Sequence, residues 1–325
     1  MSHPYEKEVV VGLEAVRMAA AICQSVQAGI TSAALEKKDK SPVTIADFAS
    51  QAVVCRGIRS CFSDPIIGEE GSAELRTEDG AEFLARVTAE VNKGGAAGSG
   101  EEICDWIDEG SAKDHSDRFW TLDPIDGTKG FLRGEQYAVA LALIVNGQID
   151  VGIVACPNLT DLASGQQGTI CMAVRGRGAW TMPLNDDQKT PAKVTATTKS
   201  SDARFCESVE SGHSSHGHSA QIAEILGMTN ESVRLDSQAK YAVVGRGEAD
   251  IYLRLPTRPN YREKIWDHAG GVLFCTEAGG TVTDVTGKPL EFTHGFELTE
   301  NRGVVVTNGP LHNAVIAAIK EVGIS

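Results

Sequence analysis

Apolar positions in the first part of the chain recur at helical spacing. Val9, Val10, Leu13, Val16, Ala20 and Val26 mark one side of a helix over Tyr5 to Gln27. Phe48, Val53, Val54, Ile58 and Phe62 do the same for a second helix, Ala46 to Phe62, with Ser41-Pro42-Val43-Thr44 before it as a loop or short extended turn. Pro65 to Gly68 is predicted to be a short buried strand ending at Glu69-Glu70, and Glu78 to Val91 a helix. The glycine-rich stretch Asn92 to Gly100 reads as a mobile surface loop.

The pattern then turns to strands. Phe119 to Leu122 runs into an aspartate-rich segment. Tyr137 to Val145 and Gln148 to Ala155 are two apolar runs joined by Asn146-Gly147, the strongest short signal for a hairpin. Thr169 to Val174 is a further strand, and the polar segment Pro183 to Ala192 is the expected lobe boundary. Beyond it the pattern gives a helix over Ser219 to Leu226, a strand over Ile251 to Leu255 and a helix from Trp266 that stops at Gly279-Gly280. Val304 to Val306 is a strand and Leu311 to Val322 a terminal helix. Alternating strands and helices without internal repeats predict an α/β layered sandwich of two lobes, 1–185 and 186–325, the second returning Asp267 to the first.

Length and composition fit this picture. The chain has 325 residues, 42% hydrophobic and 23% charged, so a large core can be buried. A formal net charge of −14 argues against a nucleic-acid-binding surface but leaves room for a small phosphorylated ligand, because a divalent metal reverses the field of an acidic site. The eight cysteines are scattered without a C-x-x-C pair, which reads as buried thiols. The N-terminus has no basic segment followed by an apolar core, and no run reaches the length of a membrane span. These features predict a cytoplasmic protein with a small-molecule substrate and neither nucleic acid nor membrane as partner.

Four carboxylate sites sit at strand ends or helix starts. They are Asp47, Glu69, the pair Asp123 and Asp126, and Asp267. Taken singly, Asp47 is a turn or cap residue, Glu69-Glu70 a solvated strand end and Asp267 a helix N-cap. Only Asp123-Pro124-Ile125-Asp126-Gly127-Thr128 is unusual by itself. Together they suggest a cation cage, since clustered carboxylates repel unless a hard ion such as Mg²⁺ separates them. Proline stiffens the turn, the Ile125 carbonyl can point inward, and Gly127 permits close backbone approach.

These residues resemble the inositol monophosphatase superfamily. Asp123 to Phe131 and Trp266-Asp267-His268-Ala269-Gly270-Gly271 are similar to its two signatures. Pro42 to Asp47 and Gly68-Glu69-Glu70 are similar to its other metal-site motifs, in the same order. Val209 to His216, Leu235 to Tyr241, Ile251 to Pro256 and Arg133 to Ala138 resemble the 3′(2′),5′-bisphosphate nucleotidase branch in particular. The resemblance implies the layered αβαβα sandwich of the inositol monophosphatase and fructose-1,6-bisphosphatase type, in two lobes. It implies Mg²⁺, two or three per site, on Glu69, Asp123, the Ile125 carbonyl, Asp126 and Asp267. Asp47 and Thr128 would activate water. Gly127, Thr128, His213, Ser237, Lys240, Arg254 and Asp267 would hold the substrate. The implied reaction removes the 3′-phosphate of 3′-phosphoadenosine 5′-phosphate (PAP), or of its sulfated analogue PAPS, to give AMP or APS. Lithium sensitivity is implied by the same resemblance.

Lys240 and Arg254 supply charge for a second phosphate, which a monophosphate substrate would not require. An inositol phosphate phosphatase, including one acting on inositol bisphosphates, shares the metal motifs and stays the alternative. A non-catalytic nucleotide or redox sensor should lack some metal ligands, and none is missing. His213, His216 and His218 could suggest zinc, but the serines and glycines around them and the absence of a nearby cysteine favour a substrate-binding loop.

Overall fold

Side chains alternate across the central strands, and that alternation generates the layers. In the computed structural model, which describes residues 4–30, 41–209, 216–258 and 260–324, strand β3 (Ala138–Val145) sends Val139, Leu141 and Leu143 to one face. Ala138, Ala140, Ala142 and Ile144 go to the other. The first face is covered by α1 (Glu6–Ala28) and α2 (Ser41–Arg59). The second is covered by α7 (Ala239–Gly245) and α8 (Ala269–Glu277). Its alanines and glycines permit close approach: a methyl group at Gly152 would lie 2.8 Å from the Gly270 carbonyl.

The first sheet has the order β1-β2-β3-β4-β5-β6-β7. Its strands are β1 (Ile66–Gly68), β2 (Arg118–Asp126), β3, β4 (Gln148–Thr160), β5 (Gln167–Val174), β6 (Gly178–Pro183) and β7 (Thr190–Pro191). Only the β1–β2 pair is parallel. The β3–β4 turn holds Asn146 at φ 51° and Gly147 at φ 74°, the two positive values that a tight two-residue hairpin turn demands. Strand β7 lies inside the 183–192 segment.

The second sheet has the order β11-β12-β10-β8-β9. It comprises β8 (Phe205–Glu207), β9 (Val233–Arg234), β10 (Ile251–Arg254), β11 (Thr281–Thr283) and β12 (Val304–Thr307). On β10, Ile251 and Leu253 face outward to α6 (His216–Ile225) and α9 (His312–Glu321), while Tyr252 faces inward to α7 and α8. Three apolar cores, the middle one covering both faces of the α7–α8 layer, therefore hold five layers, helix, sheet, helix, sheet, helix, as the αβαβα expectation requires.

Several local expectations change. Ser41 to Thr44 is the first turn of α2, where a proline costs no helical hydrogen bond because its missing N–H would be unpaired anyway. The glycine-rich stretch is shorter and more tightly tied than expected. Helix α3 (Ala81–Lys93) runs into it, Ala96 is buried, and the Gly98 N–H donates to Asn92 Oδ1 at 2.8 Å. Ser99 and Glu102 then form a capping box that starts α4 (Gly100–Asp108), a helix the periodicity did not reveal.

Helix α1 is long and apolar enough to cross a membrane, contrary to the sequence reading. Here Val9, Leu13, Val16, Ala20 and Cys23 are instead buried in the first core. Seven of the eight cysteines are buried and Cys61 is exposed, and all eight are free thiols.

Candidate functional site

The two aspartates of the Asp123 to Thr128 segment face one point because β2 bulges. Asp123 pairs with Ala140 and Asp126 with Ala138, so three steps on β2 oppose two on β3. In a regular strand, residues three apart point to opposite faces. The extra residue, within Pro124-Ile125, brings both carboxylates to the same side. Ser50 on α2 fixes the bulge by donating to the Pro124 carbonyl at 2.9 Å.

Gly127 then turns at φ 89° into the short α5 (Thr128–Leu132). A methyl group at Gly127 would lie 2.9 Å from Ser237 Cβ. Ser237 itself adopts φ 68°, an uncommon conformation for a non-glycine residue. This aims the Gln238 N–H at Asp126 Oδ2, 2.5 Å away. Gln238 also donates from Nε2 to the Trp266 carbonyl at 2.8 Å and accepts from Gly271 N–H at 3.0 Å, tying the start of α7 to the Asp267 segment. Asp267 is not the cap of α8; His268 holds that position.

These elements line a cavity of about 210 Å³. The lining includes the acids Glu69, Asp123, Asp126 and Asp267, the cations Lys240 and Arg254, and Tyr252, Ile125, Gly127, Thr128 and Ser237. Arg254 follows Tyr252 by two residues on the inward face of β10, so the strand period alone places it here.

Burial and mutual repulsion raise the acid groups. Glu69 is pushed to about 8 by desolvation and by the charges of Asp267, Glu70 and Asp126, with a hydrogen bond to Asp123 pulling the other way. The Glu69 side chain is also exposed to solvent, which screens these charges. Asp123, 2% exposed, is raised by burial first and then by Glu69, Asp126 and Asp267. Asp126 is raised to about 6 by burial and Asp267, opposed by Lys240, Arg254 and the Gln238 N–H. Asp47, 5% exposed on α2, is raised by burial and by Glu70 and Glu69. Burial pulls the Lys240 amine below its ordinary value, against the opposing charge of Asp126.

Asp47 Oδ1 and Asp123 Oδ1 are both buried without a hydrogen-bond partner among the described residues. Buried orphan carboxylate oxygens beside other carboxylates are unfavourable as they stand and fit a hard cation with oxygen ligands. A tighter group, Glu263, Asp267 and His268, has ligand atoms within 4.8 Å of one another. Its hydrogen-bonding capacity is largely spent. Glu263 accepts from Arg254 Nε at 2.8 Å and from His268 Nε2 at 3.1 Å, and His268 Nδ1 meets the Tyr241 hydroxyl at 2.8 Å. We read it as an anchor for Arg254.

The structure thus brings together all the expected residues except two. His213 lies outside the described residues. Asp47 stands apart from the cavity lining, and no hydrogen bond joins it to Thr128, whose side chain is at the exposed rim. Sequence reasoning missed Gln51, four positions after Asp47 on the same face of α2. Its amide donates to the Glu70 carbonyl at 2.6 Å and the Ile107 carbonyl at 3.0 Å, and accepts from Glu70 N–H at 3.0 Å. The i, i+4 spacing was the available signal. Gln238, Tyr252, Glu263 and His268 were also missed as site residues, although three of them lie inside quoted motifs.

Comparison with known proteins agrees with this site. The sequence profile of the inositol monophosphatase family matches residues 6–323. A protein of Emericella nidulans named 3′(2′),5′-bisphosphate nucleotidase is 43% identical, over 98% of this chain and 99% of its own. One of the same name from Schizosaccharomyces pombe is 42% identical, over 98% and 96%. The solved inositol monophosphatase from Anabaena superposes with a TM-score of 0.62 at 22% identity, covering 98% of this chain and 97% of that one, which speaks to the fold. The chain belongs to the inositol monophosphatase family, whose members are metal-dependent phosphatases.

Proposed function

We propose that the protein is a magnesium-dependent 3′(2′),5′-bisphosphate nucleotidase that removes the 3′-phosphate of PAP, and of PAPS, by attack of water. One observation carries the reading: a single cavity pairs a carboxylate cluster with two buried or half-buried cations, Lys240 and Arg254. The carboxylates suit a metal and a scissile phosphate. The cations suit a second phosphate on the same molecule. Full-length identity above 40% to proteins named for this activity supports the same reading.

Glu69, Asp123, Asp126, Asp267 and the Ile125 carbonyl would hold two or three magnesium ions. Bound magnesium would neutralise charge on the phosphoryl group and make water a better nucleophile. Asp47 would accept the proton by way of the Thr128 hydroxyl, a role that rests on the family resemblance. Gly127 and Thr128 offer backbone amides to the phosphate. Ser237, held at positive φ, presents its backbone and hydroxyl beside Gly127, and Lys240 and Arg254 take the second phosphate. His213 belongs to the substrate contacts by resemblance alone.

Phosphate release from PAP, inositol 1,4-bisphosphate and inositol 1-phosphate, each with Mg²⁺, tests the assignment. PAP should be the preferred substrate, and preference for inositol 1-phosphate would refute it. Asp47→Asn should leave the protein folded and abolish turnover.

A further inference from the structure

Arg254 is gripped from behind by a chain of side chains that reaches away from the cavity. Its Nε donates to Glu263 Oε2 at 2.8 Å, while Nη2 lies 3.5 Å from Asp267 Oδ2. Glu263 is also met by His268 Nε2 at 3.1 Å, and His268 Nδ1 by the Tyr241 hydroxyl at 2.8 Å. Glu263 can only accept from the ring, so Nε2 carries the proton there and Nδ1 is left to accept from Tyr241. Glu263, His268 and Tyr241 are 5%, 0% and 1% exposed, and Tyr261 stands at the outer rim beside Arg254.

Glu263 holds Nε at 2.8 Å, a shorter contact than the 3.5 Å from Nη2 to Asp267, and so fixes the plane of the guanidinium at the cavity wall. A guanidinium fixed in advance loses less freedom on binding a phosphate than a mobile one.

We propose that Glu263, His268 and Tyr241 are positioning residues that fix Arg254 for the second phosphate, and so set the preference for bisphosphate over monophosphate esters. This rests on the nucleotidase reading above. The residues belong to three different elements, the loop before α8, the cap of α8 and α7, so the preference is built by packing of the inter-sheet layer.

The test compares Glu263→Gln with wild type on PAP and on adenosine 3′-monophosphate, which lacks the second phosphate. The expected result is a rise of about tenfold or more in KM for PAP, a much smaller change in kcat, and little change in kcat/KM for the monophosphate. His268→Gln, which keeps a donor near the Nε2 position, should recover much of the PAP affinity that His268→Ala loses. Equal loss on both substrates, or an unchanged preference for PAP in Glu263→Gln, overturns the proposal. If Glu263→Gln does not fold, Tyr241→Phe, which removes one hydroxyl, decides by the same ratio. A wild-type enzyme indifferent to the second phosphate would sink the nucleotidase reading itself. A wild type that prefers PAP, with variants that keep that preference, would sink only the positioning role.

Discussion

Asp126→Asn should make the metal-free protein more stable and the enzyme inactive. Asp126 is raised from its ordinary 3.8 to about 6, chiefly by burial and then by Asp267. A rise of about two units corresponds to roughly 3 kcal/mol at about 1.4 kcal/mol per unit. The carboxylate is only partly covered and its neighbours titrate with it, so about 1–2 kcal/mol is the share to expect. A carboxyl raised in the folded state binds its proton more tightly there than in the unfolded chain. Its charge therefore costs nothing below about pH 4, and the full penalty is present once pH has risen past about 6. Asparagine has no charge to penalise, and its carbonyl can still accept the Gln238 N–H that Asp126 accepts at 2.5 Å. In EDTA at pH 8, chemical denaturation should show Asp126→Asn more stable than wild type by about 1–2 kcal/mol, with the gap closing towards pH 4. Added magnesium should reverse the order, because a ligand that binds the native state stabilises in proportion to its affinity and the variant has lost a ligand. A variant that is less stable than wild type in EDTA at pH 8, or one that keeps turnover, would refute the reasoning.

Three further perturbations follow from the geometry. Gln51→Leu strands the Glu70 N–H and two carbonyls in the protein, so denaturation should show a loss of about 2–4 kcal/mol, and calorimetry a weaker magnesium affinity, because Glu69 is no longer held. Gly130→Ala drives a methyl group into the Gln136 carbonyl and onto Asp236, and should cut soluble yield and melting temperature sharply, whereas Gly134→Ala, with open space around it, should be limited to the strain of φ 72°. Ser99→Ala removes the side-chain half of the capping box of α4, leaving the Glu102 carboxylate to accept the residue 99 N–H, and should cost about 1 kcal/mol by denaturation with activity unchanged.

The acidic half of the site was legible in the sequence because its residues are local. Asp123 and Asp126 are three apart, and each carboxylate sits next to an apolar run whose end can be read. What could not be read was how an odd spacing along one strand puts two side chains on one face. That takes the bulge opposite Ala138 to Ala140, a property of the pairing with β3 and not of β2 alone. The helix α4 was hidden by a related effect, since Gly98 and Gly100 flank the Ser99 that caps it and lower the local helical signal.

The cationic half is different in kind. Nothing near Arg254 in sequence says that Glu263 will meet its Nε, and nothing near Lys240 says that its amine will sit 5.2 Å from the ring centre of Tyr252. The cavity-facing side of β10 is nevertheless fixed by the two-residue period of a strand. Ile251 and Leu253 must face the outer core, so Tyr252 and Arg254 must face inward. An arginine at an inward position between two packed sheets costs too much unless acids meet it. Two do, Glu263 and Asp267, and one of them also belongs to the carboxylate cluster. The charge balance that makes Arg254 tolerable in the fold thus also links the anion pocket to the carboxylate cage. Loss of Glu263 should therefore register both as a change in substrate preference and as a loss of stability.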